Sequence, residues 1–224
     1  MRASDADNPA EVIDLLGVFA AGELSMFGRL AADATTMPTL PLRAELSAFA
    51  ADEMARHRLL VDRLVELGSS PTQAMAPFMP TFDEFHARLA PATWLEALVK
   101  ACIADGLAVD LYTAVAGWTD DAVTMEVVRR AGENPRKEAF LVEAAGSAIA
   151  QNPIQVGRQS LWARRLFGEV VARGQHLAAE HDGLGALVVG AGGTPGAGLA
   201  ETLVVFEQVT VRHEERMKAL GLNL

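Results

Sequence analysis

Two side chains that commonly bind metals, Glu53 and His57, lie four residues apart in an apolar stretch of the chain. Side chains at positions i and i+4 project from the same face of a helix, so both groups can point at one spot inside a bundle. The other positions on this stripe are apolar, namely Leu46, Ala50, Leu60 and Leu64. A buried charge that is neither paired nor metal-bound is costly, so the pattern indicates a bound metal or an ionic partner.

Three further acids interrupt the apolar stripes of other long helical stretches: Glu23, Asp105 and Glu143. Carboxylates and imidazoles that project inward from four helices are the ligands of di-iron and di-manganese sites in helix bundles. Oxygen ligands with some nitrogen suit both iron and manganese. The sequence therefore predicts a metal site built from Glu23, Glu53, His57, Asp105 and Glu143, with iron as the first candidate metal and manganese as the second.

The residues leave alternatives open at two of these positions. Asp110 lies on the neighbouring face of the same helix and competes with Asp105 for the inward position. Ala144 and Ala148 indicate a different inner face for the helix that carries Glu143. An acid at the edge of an apolar stripe can also reach solvent, in which case it would hold no metal.

The pattern of apolar residues predicts an all-α protein, a four-helix bundle with additional helices in a single domain over residues 1–224. Helices are predicted at 9–34, up to Gly68, 93–117, 120–131, 136–151, 154–182 and 199–220. Residues 69–91 contain several prolines and are predicted to be mostly loop, with a short amphipathic piece over 82–89. The glycine-rich residues 183–198 are predicted to be a linker before the C-terminal helix.

Composition narrows the function classes. The formal net charge of −10 argues against a general nucleic-acid binder, which would carry a basic face. The single cysteine, Cys102, excludes an internal disulfide, and no signal pattern or membrane-length apolar run is present. The chain is therefore expected to be soluble and cytoplasmic, with no membrane partner. We expect His213 in the core or at an interface, His86 at the surface, and a homodimer formed through the apolar C-terminal helices.

Several stretches resemble the ferritin-like superfamily, and more closely the actinobacterial proteins grouped with the tRNA 2-methylthio-isopentenyladenosine hydroxylase, MiaE. They are GELSMFGRLAADA (22–34), ADEMARHRLLVDRLVELG (51–68), PFMPTFDEFH (77–86), WLEALVKACIADGLAVDLY (94–112), LWARRLFGEVVARGQ (161–175) and RHEERMKALGL (212–222). The resemblance implies a ferritin-like bundle that uses non-haem di-iron and oxygen. Its implied substrate is a small molecule or a modified nucleoside, whereas the acidic charge argues against tRNA.

The family's ligands are a Glu on the first helix, Glu-x-x-His on the second, a Glu on the third and Glu-x-x-His on the fourth. By this resemblance Glu23, His57 and Asp105 match the first three helices, and Glu143 matches the Glu of the fourth. The chain departs from the pattern at Met54, where the second-helix Glu is expected and Glu53 lies one place earlier. It departs again at Gly146, where the second His is expected, and Asp105 is one methylene shorter than Glu.

Two functions are consistent with these residues. One is a MiaE-like di-iron hydroxylase with an altered metal site, in which an apolar pocket with residues such as Phe19, Phe27 and Tyr112 holds the substrate. The other is a ferritin-like binding or scaffold protein that has lost the metal.

Overall fold

The computed structural model describes residues 9–117, 121–189 and 198–224. These residues form helices without a β-strand, as the sequence predicts. The helices are α1 (Pro9–Ala34), α2 (Leu40–Glu66), α3 (Pro71–Met75), α4 (Met79–Arg88), α5 (Trp94–Ala116), α6 (Ala122–Gly132), α7 (Pro135–Gln151), α8 (Val156–Glu180), α9 (Asp182–Val189) and α10 (Gly198–Ala219), with a 3₁₀ turn at Pro153–Gln155. Within the described parts of the chain, no helix has the length and apolar character needed to cross a membrane.

Helices α1 and α2 pack along their lengths as an antiparallel hairpin joined by residues 35–39. The Thr39 hydroxyl caps α2 by accepting a hydrogen bond from the Leu42 amide, and a proline occupies the first turn, where its missing N–H costs nothing. The apolar stripe of α2 is buried against α1, with Leu60 and Leu64 fully inaccessible to solvent. This hairpin carries two of the chain's inward-facing acids.

Helix α5 is the central helix of the remaining bundle and packs against α1, α6, α7, α8 and α10. Its start is a capping arrangement, in which the Thr93 hydroxyl accepts from the Glu96 amide at 3.2 Å and the Glu96 carboxylate accepts from the Ala92 amide at 2.7 Å. The middle of α5 is almost wholly buried, including Leu98 and Ile103. A helix surrounded on all sides in this way lets residues from several faces reach interior sites.

Two predicted loops contain helices. Residues 69–91, predicted to be mostly loop, hold α3 and α4, and α4 extends beyond the short piece predicted over 82–89. Both begin with a proline in the first turn, where it favours rather than breaks a helix. The predicted linker 183–198 is helical up to Val189 as α9, while residues 190–197 lie outside the described residues.

The glycines of α1 give a test of how closely the helices pack. A Cβ at Gly17 would lie 2.4 Å from the Ala74 carbonyl oxygen on α3, whereas a Cβ at Gly28 meets no atom within 4 Å. We expect Gly17→Ala to destabilise the protein by about 1–3 kcal/mol, because backbone atoms must move apart. We expect Gly28→Ala to stabilise it by about 1 kcal/mol through helix propensity. Urea unfolding of both variants measures this, and shifts of the same sign would contradict the close approach of α1 and α3.

Candidate functional site

Five charged side chains from four helices meet inside the bundle, and we call them the ionic cluster. They are Glu23 on α1, Glu53 and Arg56 on α2, Asp105 on α5 and Lys137 on α7. The Lys137 ammonium contacts the Glu53 carboxylate and lies 2.6 Å from Asp105 Oδ2. The Arg56 guanidinium contacts Glu53 and lies 3.2 Å from Glu23 Oε2. The cluster therefore connects α1, α2, α5 and α7 through contacts between charged side chains.

The cluster is shielded from solvent. Glu53 is 0% exposed, Lys137 3% and Glu23 5%. Lys137 reaches this position because it begins the buried stripe of α7, which continues through Leu141, Ala145 and Ile149. Removing charged groups from water is costly unless each finds an opposite charge, which the cluster provides.

The protonation of the cluster follows from burial and from its neighbours. Burial, followed by the adjacent Glu53 carboxylate, raises the pKa of Glu23 well above its usual value. Burial acts in the same direction on Glu53, but the neighbouring Glu23 carboxyl group and the charges of Lys137 and Arg56 hold its pKa below its usual value. Burial also raises the pKa of Asp105, while the charge of Lys137 acts in the opposite direction. Two cations thus face three carboxyl groups, of which Glu53 has its pKa lowered.

The structure brings three of the predicted site residues together and leaves two apart. Glu23, Glu53 and Asp105 all belong to the ionic cluster. The Nδ1 of His57 lies 2.9 Å from the Ala20 carbonyl oxygen, so its imidazole is bonded to the backbone of α1. Glu143 is exposed on α7. The prediction that Glu143 faces the interior is wrong, because the inward stripe of α7 consists of Lys137, Leu141, Ala145 and Ile149.

The competing acid of α5 belongs to a different ion pair. Asp110 lies 2.6 Å from Arg216 and 2.9 Å from Arg212, both on α10. Arg216 also contacts Glu138 on α7 at 3.1 Å, so this group holds α10 against α5 and α7. A Cβ at Gly106 would lie 2.4 Å from Arg216 Nε, so a larger residue at this position would displace the Arg216 guanidinium.

Two members of the ionic cluster, Arg56 and Lys137, were not among the residues predicted from the sequence. Arg56 lies three residues after Glu53, and i+3 neighbours share a helix face just as i+4 neighbours do. Lys137 could have been found from the four-residue steps that link it to Leu141 and then to Ala145, which mark the inner face of α7. For both residues, the sequence feature that indicates a buried position is a cation on an otherwise apolar helix face.

The residues present do not fit a di-iron or di-manganese centre. Each carboxylate of the ionic cluster contacts Arg56 or Lys137, and these cations would repel a metal ion placed among them. The His57 imidazole bonds the Ala20 carbonyl oxygen through Nδ1, so it offers one remaining nitrogen at most, and the second histidine of the family pattern is Gly146 in this chain. Across residues 9–117, 121–189 and 198–224, no group of three or more His, Cys, Asp or Glu side chains is arranged to hold a metal ion. Positive charge at this centre comes from the protein's own side chains.

An apolar cavity of about 480 Å³ lies next to the cluster, between α1, α4, α5, α8, α9 and α10. Most of its walls are aliphatic or aromatic, including Leu15, Phe19, Met26, Phe82, Phe85, Leu111, Val170, Leu177, Leu184 and Phe206. The predicted pocket residues Phe19 and Tyr112 line it. Phe27 does not, because it packs against the main core.

Tyr112 stands between the cavity and the ionic cluster. Its ring packs against Phe19, with ring centroids 3.9 Å apart. A Cβ at Gly22 would lie 2.3 Å from the Tyr112 hydroxyl, so the absence of a side chain at Gly22 gives the hydroxyl its place. Glu23 follows Gly22 directly in α1 and belongs to the cluster. The polar end of Tyr112 thus lies at the inner wall of the cavity.

Comparison with known proteins agrees with this architecture. No curated protein sequence matches the chain. A solved structure from Synechococcus, a protein with aldehyde deformylating oxidase activity, is similar with a TM-score of 0.61 and 20% sequence identity, over 99% of this chain and 93% of that one. At this identity the likeness speaks for the fold alone. The model of the family "Ferritin-like domain, actinomycetes" matches residues 7–191, which is most of the chain. This protein therefore belongs to the ferritin-like domain family of actinomycetes.

Proposed function

We propose that this protein binds an apolar small molecule in the cavity beside the ionic cluster and needs no metal to do so. The cavity carries the proposal. Its volume of about 480 Å³ falls within the roughly 300–1,000 Å³ typical of small-molecule sites. Its lining is almost wholly apolar, and the guanidinium of its charged residue, Arg173, donates a hydrogen bond to Glu84 at 3.1 Å. A ligand with a mostly apolar surface suits such walls.

The ionic cluster supports a function without metal. A MiaE-type hydroxylase would need the carboxylates Glu23, Glu53 and Asp105 available to two irons. In this chain they are bound by Arg56 and Lys137, which hold four helices together. Of the four helices that the cluster joins, α1 and α5 also line the cavity.

A fluorescence titration with N-phenyl-1-naphthylamine, an uncharged apolar probe, tests the proposal. We expect saturable binding that is the same with and without EDTA. Ala178 lines the cavity on α8, and Ala178→Phe fills part of it. We expect this variant to bind the probe at least about tenfold more weakly, a loss of about 1.4 kcal/mol.

Ala172→Phe is the matched control. Ala172 lies on the same helix but is exposed and outside the cavity lining, so the affinity should stay within about twofold of wild type. Thermal unfolding of both variants verifies that they are folded. Absent probe binding, equal losses in both variants, or binding that depends on added Fe(II) would each contradict the proposal.

A further inference from the structure

Polar side chains are a minority among the described lining residues of the cavity, and the Tyr112 hydroxyl is the polar group that lies against α1 at Gly22, next to Glu23. The hydroxyl thus lies on the side of the ionic cluster. Within the described parts of the chain, this hydroxyl makes no hydrogen bond to a protein group. Interior polar groups in folded proteins nearly always have a partner. An interior hydroxyl that faces a ligand-sized cavity is therefore placed to donate to a ligand.

The charges behind Tyr112 restrict what the ligand can present. Glu23, Glu53 and Asp105 lie on that side, paired with Arg56 and Lys137. An anionic group at the inner end would lose its hydration and gain no free cation, and a cationic group would find carboxylates that already have partners. A neutral acceptor incurs a much smaller desolvation cost.

Tyr112 keeps its proton over the physiological range. Burial, followed by the charges of Glu23 and Asp105, raises the pKa of Tyr112 well above its usual value. The hydroxyl is therefore a donor rather than a phenolate. Phe19 fixes the ring from one side and Gly22 leaves room for the oxygen, so the position of the hydroxyl oxygen is set before a ligand binds.

We infer that the Tyr112 hydroxyl donates a hydrogen bond to an uncharged carbonyl oxygen at the inner end of an otherwise apolar ligand. This inference rests on the proposed function, because it names the ligand class of the same cavity. Ketones with apolar arms are the simplest members of the class.

Two compounds with the same carbon skeleton, butyrophenone and n-butylbenzene, test it by displacing N-phenyl-1-naphthylamine from the wild type and from Tyr112→Phe. The chain has one tyrosine, so the variant removes its phenolic donor while keeping the ring. A net hydrogen bond corresponds to a loss of about threefold to tenfold in affinity. We expect Tyr112→Phe to lose this much affinity for butyrophenone. Its affinity for n-butylbenzene should equal or exceed that of the wild type.

The possible outcomes distinguish this inference from the proposed function on which it rests. If the probe binds and is displaced, but Tyr112→Phe changes both compounds equally or neither, then the carbonyl inference is overturned and the cavity still binds apolar molecules. If the probe does not bind wild-type protein, both proposals are overturned. Equal thermal stability of wild type and Tyr112→Phe ensures that a selective loss reports on ligand contact.

Discussion

Replacing Lys137 with methionine is expected to lower the free energy of unfolding by about 3–5 kcal/mol. The change keeps a flexible chain of similar length but removes the ammonium group that contacts Glu53 and Asp105. Glu53 is fully buried, so it would keep its charge without this partner or take up a proton. Either outcome weakens the ionic contacts that hold α2 and α5 against α7. Urea unfolding followed by circular dichroism at pH 7 measures the loss.

Arg136→Met is the matched control, since Arg136 is the preceding residue of α7 and also forms an ion pair with an acid of α2, Glu45. Its side chain is 63% exposed, and an exposed pair contributes less than about 1 kcal/mol. Similar losses in the two variants would show that Lys137 does not act as a buried counter-ion. Adding Glu53→Gln to Lys137→Met should give a loss smaller than the sum of the single variants by about 0.5–3 kcal/mol, because the two side chains share one interaction.

Acidification from pH 8 to pH 5 is expected to destabilise the protein through His86 by about 2 kcal/mol. Burial, followed by the charges of Lys100 and Arg29, lowers the pKa of His86 from 6.5 to about 3. Below pH 6.5 the His86 side chain binds a proton in the unfolded chain, whereas in the folded chain it stays neutral until the pH approaches 3. The stabilisation is therefore present above pH 6.5 and is lost as the pH falls toward 3.

His86→Gln isolates this effect because glutamine stays neutral throughout. Buried carboxyls with raised pKa values, such as Glu23 and Asp105, act in the opposite direction, so the quantity to measure is the difference between the two proteins. We expect the variant to lose about 2 kcal/mol less than wild type between pH 8 and pH 5, and to follow it in parallel from pH 8 to pH 9. Parallel curves over the whole range would contradict a buried neutral imidazole. His86 was predicted from the sequence as a surface residue, whereas it lies on α4 at the cavity wall.

The Lys137 prediction depends on a buried charge and the His86 prediction on a buried neutral imidazole, and neither depends on the apolar core. At these buried ionisable groups the resemblance to di-iron enzymes stops being informative. The family pattern relates Glu23, His57 and Asp105 to metal ligands by their positions along the chain. The contacts of this chain assign the interior to Arg56 and Lys137. A ferritin-like bundle can therefore place cations of its own side chains against its interior acids.

The sequence by itself determined the helical class and most long helices, because the spacing of apolar residues identifies a helix over many turns. It also placed Glu23, Glu53 and Asp105 on inward faces, and they do meet in the structure. It missed α3 and the first residues of α4, where prolines in the first turn resemble loop residues, although the short piece predicted over 82–89 overlaps α4. Local signals of this kind are ambiguous because a proline both starts helices and breaks them.

Only the tertiary structure decided which cations and which cavity accompany those acids. Residues three and four positions after Glu53 lie on nearly the same face, so spacing alone does not separate Arg56 from His57. Which of the two side chains joins the cluster depends on how α2 packs on α1. His57 hydrogen-bonds to the Ala20 carbonyl oxygen, whereas Arg56 donates a hydrogen bond to Glu23. The inner face of α7 likewise depends on its rotation against α2 and α5. Helix periodicity determines which residues share a face, and packing between helices determines which face is turned inward.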